Sequence, residues 1–364
     1  MEALRRNAVE VRALVASGGA DAARRAAELG IPRGYGTLDE ALAGSGADVY
    51  HLCVPNALHA PMARQVLAAG RHVVCEKPLA MTSAESAELA ALARRTGLVA
   101  AVAYNLRFYP MVIEARARVA AGAIGPVHAV HGGYLQDWLL LDTDWNWRLE
   151  PERNGALRAV ADIGTHWLDM ASFVTGSRVA RVCADLSTVY PERRRPRGEV
   201  RTFAGDGAPV EREAVRIGTE DQAAVLLRME SGALGSLVVS QVAAGHKNAL
   251  SLEVDGAGGS LAWCSESPNQ LWLGHRGRPN EVLEKDPSLL GAEARARTGY
   301  PGGHQEGYPD TFRQLFASIY AYLARGDLAA PRDFPTFEDG HREMLHCDAI
   351  LESARTGRWV DVPG

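Results

Sequence analysis

The sequence lacks the features typical of membrane, disulfide-rich secreted and nucleic-acid-binding proteins. It has no run of about 18 apolar residues and no basic-then-apolar N-terminal pattern, so we expect neither a transmembrane helix nor a signal peptide. Its five cysteines show no CxxC spacing, which favours buried thiols in a reducing compartment over disulfides or a zinc site. The formal net charge of -5 points to neither nucleic acid nor a membrane surface as a partner. We therefore expect a cytoplasmic globular protein that binds no metal.

Lysine is also scarce. Of the 39 Lys and Arg residues, only three are lysines: Lys77, Lys247 and Lys285. Lys77 ends the apolar run HVVCEKP (72–78), where arginine would be the default cation of this chain. Burial and neighbouring charges can lower the pKa of a lysine, whereas arginine stays protonated in proteins. Lys77 therefore indicates a site that needs a removable proton or a compact point charge. The alternative is that one of three lysines fell there by chance.

A glycine-rich turn is missing from the place where a dinucleotide-binding fold requires it. Such a fold begins with a strand, a GxGxxG turn and a helix, because backbone N–H groups approach the pyrophosphate there. No such turn precedes the first predicted strand. We expect that the chain as given lacks roughly 15 to 20 residues of this unit. The alternative is a domain that does not bind a dinucleotide in the usual way.

The first 105 residues nevertheless alternate strand and helix patterns. Strands are predicted at 9–15, 48–55, 72–78 and 98–104, and helices at 20–30, 58–70 and 82–96, with a capping box at Thr82 and Glu85. This alternation predicts βαβ units and a parallel sheet, in which ligands lie beyond the carboxyl ends of the strands. The polar residues that follow these strands are Ser17, Asn56, Glu76, Lys77 and Asn105.

Beyond about residue 125 the pattern changes to longer strands with few helices between them. Strands are predicted at 127–137, 179–190, 220–230, 233–243, 249–255 and 260–264, and helices at 162–176, 308–325 and 337–356. The strands predict a large open antiparallel sheet with one face covered. We therefore predict a Rossmann-type α/β domain, truncated at its N-terminus, at 1–106 and an α+β domain at 107–364. The last two helices are expected to pack back on the first domain, and the basic stretch 191–209 to be a solvated loop.

Asp162 and His166 are candidates for proton-transfer chemistry in the second domain. They stand four residues apart at the start of a predicted helix, so both project from one face. An unperturbed histidine titrates near about pH 6.5, which suits a general base. The alternatives are that Asp162 only caps the helix and that His166 is an ordinary buried histidine. Asp169 on the same face is interpreted as structural.

Four motifs in order resemble one family of enzymes. CEKPLA (75–80), VPNALHAPMARQVLAAG (54–70), YNLRFYP (104–110) and DIGTHWLDM (162–170) are similar to the Gfo/Idh/MocA family. The similarity covers the chain from residue 1, and the missing glycine-rich turn is the departure. The resemblance implies an NAD(P)-dependent dehydrogenase that oxidises a ring hydroxyl of a sugar, anhydrosugar, glycoside or cyclitol. The stretch DWLLLDTDWNWRLEP (137–151) further resembles a subgroup that acts on pyranosides and anhydrosugars.

The resemblance also implies roles for single residues. His166 would be the base, Asp162 would orient it or bind a neighbouring hydroxyl, and Lys77 would polarise the reacting oxygen. Glu76 and Pro78 would shape the turn at Lys77, with a cis bond before Pro78.

The predicted cofactor is NAD or NADP. Its expected contacts are Ser17, Pro55, Asn56, His59, Glu76, Lys77 and Asn105. Ser17 stands where an acid would mark NAD, but no arginine is adjacent to hold the phosphate of NADP, so both remain open. His59 has an alternative as an ordinary helix-surface residue.

The predicted substrate is a small carbohydrate or polyol. Its expected contacts are Lys77, Arg107, Gln136, Trp138, Trp147, Asp162, His166 and His304. Sugars bind through hydrogen bonds and by stacking on aromatic rings, although each tryptophan has the alternative of an interdomain core position. Two other functions stay open: a family member that senses dinucleotide or sugar without turnover, and an NAD-dependent enzyme that cleaves glycosides by transient oxidation. Because open sheet faces often pair, a homodimer or homotetramer is expected.

Overall fold

The computed structural model describes residues 1–197 and 211–364, which divide into two compact units. Unit 1 comprises 1–105 and 309–341, and unit 2 comprises 106–308 and 342–364. The expected boundary at 106 and the observed break lie one residue apart. The helix predicted at 308–325 belongs almost entirely to unit 1, whereas the break near 341 falls inside the last helix. No helix in the described ranges is long and apolar enough to cross a membrane.

The helices of the described residues are α1 (Glu2–Arg6), α2 (Gly19–Glu28), α3 (Leu38–Gly44), α4 (His59–Ala68), α5 (Ser83–Thr96), α6 (Pro110–Ala120), α7 (Pro151–Asn154), α8 (Thr165–Thr175), α9 (Ala292–Arg295), α10 (Tyr308–Arg325) and α11 (Phe337–Thr356). The strands are β1 (Leu14–Val15), β2 (Gly34–Tyr35), β3 (Val49–Leu52), β4 (His72–Cys75), β5 (Ala100–Val102), β6 (Val127–Leu135), β7 (Val179–Ser187), β8 (Glu192–Pro196), β9 (Arg212–Arg216), β10 (Gln222–Met229), β11 (Leu234–Ser240), β12 (Ala249–Gly256), β13 (Ser260–Cys264), β14 (Gln270–Gly274), β15 (Glu281–Glu284) and β16 (Val360–Asp361).

Unit 1 contains two separate parallel sheets. β1 pairs with β2, and β4 lies between β3 and β5. No strand of the described chain joins the two sheets. The strand predicted at 9–15 is observed only as Leu14–Val15. Among the described residues its one partner is β2, which has two residues, so no further backbone hydrogen bonds extend the strand. The short strand β2 and the helix α3 were not predicted.

The local signals of α5 act as the sequence predicts. The Thr82 side chain accepts a hydrogen bond from the Glu85 backbone, and the Glu85 carboxylate accepts one from the Thr82 backbone. Gly97 ends the helix in the left-handed conformation, which suits a residue without a Cβ. The capping box is confirmed, and α5 packs its apolar face into the core around β3, β4 and β5.

Unit 2 is built on a nine-stranded sheet in the order β15-β14-β13-β12-β6-β11-β10-β7-β16. Its pairings are antiparallel except for β6 with β11, so the sheet is mixed. Burial alternates along β10 and β11, so one face of the sheet is covered and the other is open. The helix α8 packs on the covered face, where the buried Trp167 donates a hydrogen bond to the Ser251 carbonyl.

Two sequence-based expectations need correction. The stretch 191–209 is not a simple loop, because residues 192–196 form β8 and pair with β9; residues 198–210 lie outside the described residues. The five cysteines are free thiols, but burial differs among them: Cys75 and Cys347 are buried, Cys183 and Cys264 are half-buried, and Cys53 is exposed.

Candidate active-site residues

In unit 1, the candidate residues follow two neighbouring strands at the same sheet edge. Leu52 at the end of β3 pairs in parallel with Cys75 at the end of β4, so the turns after them emerge side by side. Pro55 and the buried Asn56 follow β3. Glu76 and Lys77 follow β4, both half-buried, and the Lys77–Pro78 peptide bond is cis as predicted.

His59 ties these two turns together. Its Nδ1 lies 2.7 Å from the Pro78 carbonyl oxygen and its Nε2 lies 2.9 Å from the Val54 carbonyl oxygen. The ring is buried, so His59 is not the exposed helix residue of the alternative interpretation. Burial lowers the pKa of His59, and the neighbouring Lys77 ammonium acts in the same direction. At neutral pH the uncharged ring therefore has one N–H for the two carbonyls.

Two other predicted cofactor contacts have different surroundings. Ser17 is exposed and stands just before α2. Asn105 is buried and donates a hydrogen bond of 2.7 Å to the Thr311 hydroxyl of α10. The Asn105 amide nitrogen is therefore engaged within unit 1.

In unit 2, a π-helical turn carries Asp162 into α8. Residues Val160–Gly164 form this turn, and the Asp162 N–H donates to the Arg158 carbonyl. Asp162 is therefore not an N-cap, which corrects the capping interpretation. π-turns inside helices are frequent at functional sites. His166 follows in the first turn of α8, and both side chains are buried.

Donors hold both oxygens of the Asp162 carboxylate. Arg148 Nε lies 3.2 Å from Oδ1, and Gln241 Nε2 lies 2.9 Å from Oδ2. The Arg148 guanidinium stacks on the Trp147 ring, 4.6 Å from its centroid. This stacking places the predicted Trp147 against the cation that faces Asp162.

A second polar group lies next to His166. The Tyr134 ring centroid is 6.3 Å from that of His166, and the Tyr134 hydroxyl donates to Asn248 Oδ1 at 2.7 Å. Gln136 Nε2 donates to the same oxygen at 2.8 Å, and Trp138 Nε1 donates to Gln136 Oε1 at 2.7 Å. Burial raises the pKa of Tyr134, so its phenol stays protonated. The predicted Gln136 and Trp138 are thus joined to His166 through Tyr134 and Asn248.

The remaining two predicted substrate contacts are engaged elsewhere in unit 2. Arg107 donates to both oxygens of the buried Asp169, and its guanidinium lies over the Phe173 ring. This pairing agrees with the structural interpretation of Asp169. His304 is exposed in a loop whose backbone is held by Lys285, with Nζ 2.8 Å from the His304 carbonyl oxygen.

Comparison with known proteins decides the family. Residues 1–104 match the model described as oxidoreductase family, NAD-binding Rossmann fold, and residues 112–262 match the GFO/IDH/MocA C-terminal domain. The chain belongs to the Gfo/Idh/MocA family of oxidoreductases. The resemblance of the four sequence motifs is thereby confirmed.

Named relatives of this Gfo/Idh/MocA chain act on carbohydrates and cyclitols. Levoglucosan dehydrogenase of Pseudarthrobacter phenanthrenivorans is 31% identical over 332 residues, which are 86% of this chain and 80% of that protein. A solved levoglucosan dehydrogenase in complex with NADH and L-sorbose aligns with a TM-score of 0.85 at 28% identity, covering 97% of this chain and 89% of that one. An inositol dehydrogenase homologue from Azotobacter vinelandii complexed with NAD+ aligns with a TM-score of 0.81 at 27% identity, covering 94% and 87%. The predicted fold class is confirmed, and this chain is a dehydrogenase-type oxidoreductase.

The edge of the β3–β5 sheet in this Gfo/Idh/MocA chain offers a place for one end of a dinucleotide. The turns at Pro55–Asn56 and Glu76–Lys77 suit the nicotinamide side, because they lie at the carboxyl ends of adjacent parallel strands. The residues at these two turns therefore fit the nicotinamide end of a dinucleotide.

Sequence reasoning missed four residues around Asp162 and His166. Arg148 has a local signal, since it follows Trp147 in the tryptophan-rich stretch. Tyr134 also stands near predicted contacts, because it lies at the end of β6 two residues before Gln136. Gln241 and Asn248 carry no local signal, because only the sheet brings them beside residues far away in the chain. The sequence predicted no metal; His131, Glu253 and Asp255 do place three possible ligand atoms within 4.8 Å of one another on the open sheet face.

Proposed function

We propose that this chain is an NAD-dependent dehydrogenase that oxidises a ring hydroxyl of a sugar, anhydrosugar, glycoside or cyclitol. The observation that carries the proposal is the buried pair in unit 2, where Asp162 is held by two donors and His166 follows one turn later. Family membership and the names of the relatives support the substrate class. A cytoplasmic location stays a prediction.

Each proposed catalytic residue has a separate task. His166 takes the proton of the substrate hydroxyl. Asp162, whose carboxylate is fixed, positions His166 and the substrate relative to each other. Lys77 places a compact positive charge that stabilises the developing alkoxide. A nicotinamide held by the turns at Pro55–Asn56 and Glu76–Lys77 would supply the hydride acceptor. Arginine would not replace Lys77, because its planar guanidinium is larger and presents several donors in a fixed fork.

The amide and phenol group next to His166 is proposed to bind the other hydroxyls of the substrate. Tyr134, Gln136 and Asn248 are already joined by hydrogen bonds, so their remaining donors and acceptors are held in fixed directions. Trp138 offers a flat apolar surface for the C–H face of a sugar ring, whereas the Trp147 ring carries Arg148. A fixed set of polar groups beside aromatic rings is typical of carbohydrate pockets.

NAD is proposed over NADP on the basis of α2. Arg24 and Arg25, the arginines that follow Ser17 most closely, both pair with Asp21 within the helix. An arginine already paired in this way is poorly suited to hold the 2′-phosphate that distinguishes NADP. The relatives solved with NADH and NAD+ support the same choice.

A homodimer through the open face of the large sheet is part of the proposal. Cross-strand register places Val282, Trp272, Ala262, Glu253, His131, Ser236 and Leu226 in one row across this face. Leu226 and Val238 are both about half exposed there. Exposed apolar side chains that lie close together on an open sheet face indicate a protein interface. Leu226→Asp should shift the mass in light scattering from dimer to monomer, whereas Leu141→Asp, outside the sheet, should not.

The test of the activity compares two lysine variants of the full chain. NADH and NADPH binding is measured by fluorescence titration, and turnover is measured by NADH absorbance with a panel of levoglucosan, free sugars and inositols. Lys77→Arg is expected to abolish turnover, and the matched control Lys247→Arg, on an exposed lysine paired with Asp137, is expected to keep it. Normal turnover by Lys77→Arg would contradict the assignment of Lys77.

Other outcomes of the same assay favour the alternative functions. Binding of dinucleotide and sugar without turnover would indicate a sensing member of the family. If a chromogenic glycoside is added to the panel, its cleavage without net NADH would indicate the transient-oxidation enzyme.

A further inference from the structure

The surroundings of Asp162 extend into a buried polar chain that sequence patterns do not reveal. Gln241 is fully buried at the end of β11 and contacts two charged groups at once. Its Nε2 donates to Asp162 Oδ2 at 2.9 Å, and its Oε1 accepts from Arg158 Nη1 at 2.9 Å. Gln241 therefore bridges the π-turn that carries Asp162 to a cation in the interior of unit 2.

Arg158 decides which way the Gln241 amide points. A guanidinium can only donate hydrogen bonds, so the oxygen of the amide must face Arg158. The nitrogen of the amide must then face Asp162, where it can only donate. With the amide reversed, two donors would meet at Arg158 and two acceptors would meet at Asp162, and both contacts would repel.

Arg158 is itself held from several sides. Its side chain is fully buried and pairs with the equally buried Asp221, which also accepts from Arg193. Arg158 Nε donates to the Thr219 hydroxyl at 3.2 Å, and the Arg158 backbone N–H donates to the Glu220 carboxylate. Burial alone would raise the pKa of Asp221, but Arg158 and the other donors keep it below its ordinary value. The pair therefore stays charged at neutral pH. The contacts with Asp221 and Thr219 hold the guanidinium in place against the Gln241 oxygen.

We propose that Gln241 is a positioning residue for Asp162, with its amide orientation set by the buried Arg158–Asp221 pair. The proposal rests on the proposed function, because it gives a purpose to a fixed Asp162 carboxylate. Charged and titratable groups near Asp162 include Arg148 from its own segment and Tyr134 from β6, and His166 from α8 lies beside Tyr134. Gln241 supplies the contact from β11.

Gln241→Glu is the sharpest test, because it changes one side of the bridge and keeps the other. A carboxylate at 241 still accepts from Arg158, but it faces the Asp162 carboxylate without a donor. Two carboxylates at this distance share a proton or move apart. We expect kcat to fall by about tenfold to a hundredfold with KM changed by less than about threefold. The acid limb of the pH profile of kcat/KM should move to higher pH.

A second variant keeps the test decisive if Gln241→Glu does not fold. Gln241→Met has a similar length and no donor. It should lower kcat to a similar extent and move the acid limb to higher pH by less than Gln241→Glu does, because it removes a donor from Asp162 without introducing a second carboxylate. A Gln241→Met enzyme with the kcat of the parent protein would overturn the proposal.

The control for lost stability is Trp167→Phe. This change removes a buried hydrogen bond to Ser251 from the same helix as His166 and does not touch Asp162. It should lower Tm while kcat stays within about threefold of the parent value. If Gln241→Glu behaves in the same way as Trp167→Phe, Gln241 is merely structural and the inference is wrong. Asp162→Asn separates this result from a failure of the proposed function, since an active Asp162→Asn enzyme removes Asp162 from the chemistry altogether.

Discussion

Replacing Lys285 by methionine tests how the loop that carries His304 is held. Lys285 Nζ lies 2.8 Å from Glu306 Oε2, and both side chains are almost fully buried. The same ammonium donates to the carbonyl oxygens of His304 at 2.8 Å and Tyr300 at 3.2 Å. Methionine fills a similar volume but donates to none of these groups, so a buried carboxylate and two carbonyls lose their partner.

The expected cost follows from the burial of the pair. Removing one member of a buried ion pair costs about 3–5 kcal/mol, because the remaining charge has no compensation. For a domain of about 150–250 residues this corresponds to a fall in Tm of about 6–20 °C. The assay is thermal and guanidinium unfolding followed by tryptophan fluorescence. Lys247→Met is the control, since it removes an exposed lysine from a surface pair with Asp137 and should cost no more than about 1 kcal/mol. A Lys285→Met protein within about 1 kcal/mol of the parent would refute the reasoning.

Three more predictions concern pH, close packing and the turn at Lys77. Burial lowers the pKa of His51 from 6.5 to about 4. Between these two values the unfolded chain binds more protons than the folded chain, so the free energy of unfolding falls as the pH decreases. His51→Gln should therefore reduce the change in the urea midpoint measured between pH 7 and pH 5. A Cβ at Gly132 would lie 2.0 Å from the Ser251 carbonyl oxygen. Gly132→Ala should therefore lower the free energy of unfolding in guanidinium by at least about 3 kcal/mol. In the control Gly218→Ala the added Cβ meets nothing within 4 Å, so the free energy of unfolding should change by no more than about 0.5 kcal/mol. His59→Ala removes the link between two turns and should lower kcat by about tenfold in steady-state assays; unchanged kcat would remove that role from His59.

Strands of the large sheet could be predicted because apolar and polar residues alternate along a strand that is buried on one face. β13 has the predicted bounds, and β12 extends one residue beyond the prediction of 249–255. The parallel pairing of β6 with β11 was not readable, since alternation reports which face is buried and not which neighbour a strand takes. The strand predicted at 9–15 was too long for a related reason. An apolar run forms a strand only over the length that a partner strand covers. Among the described residues, β2 is the one strand that pairs with this run, and it covers two residues.

Local patterns were enough to predict the family and the fold class and to nominate candidate site residues, because motifs such as CEKPLA and DIGTHWLDM lie within single segments of the chain. The environment of those residues needed the folded chain. Asp162 meets Gln241, which is 79 positions away, and Gln241 meets Arg158 because β11 and the π-turn pack together. A hydrogen bond depends on distance and direction in space, so residues remote in sequence leave no periodic trace of it. A short motif can thus nominate Asp162 and His166 as candidates, whereas the orientation of the Asp162 carboxylate is set by contacts that form only when the sheet is complete.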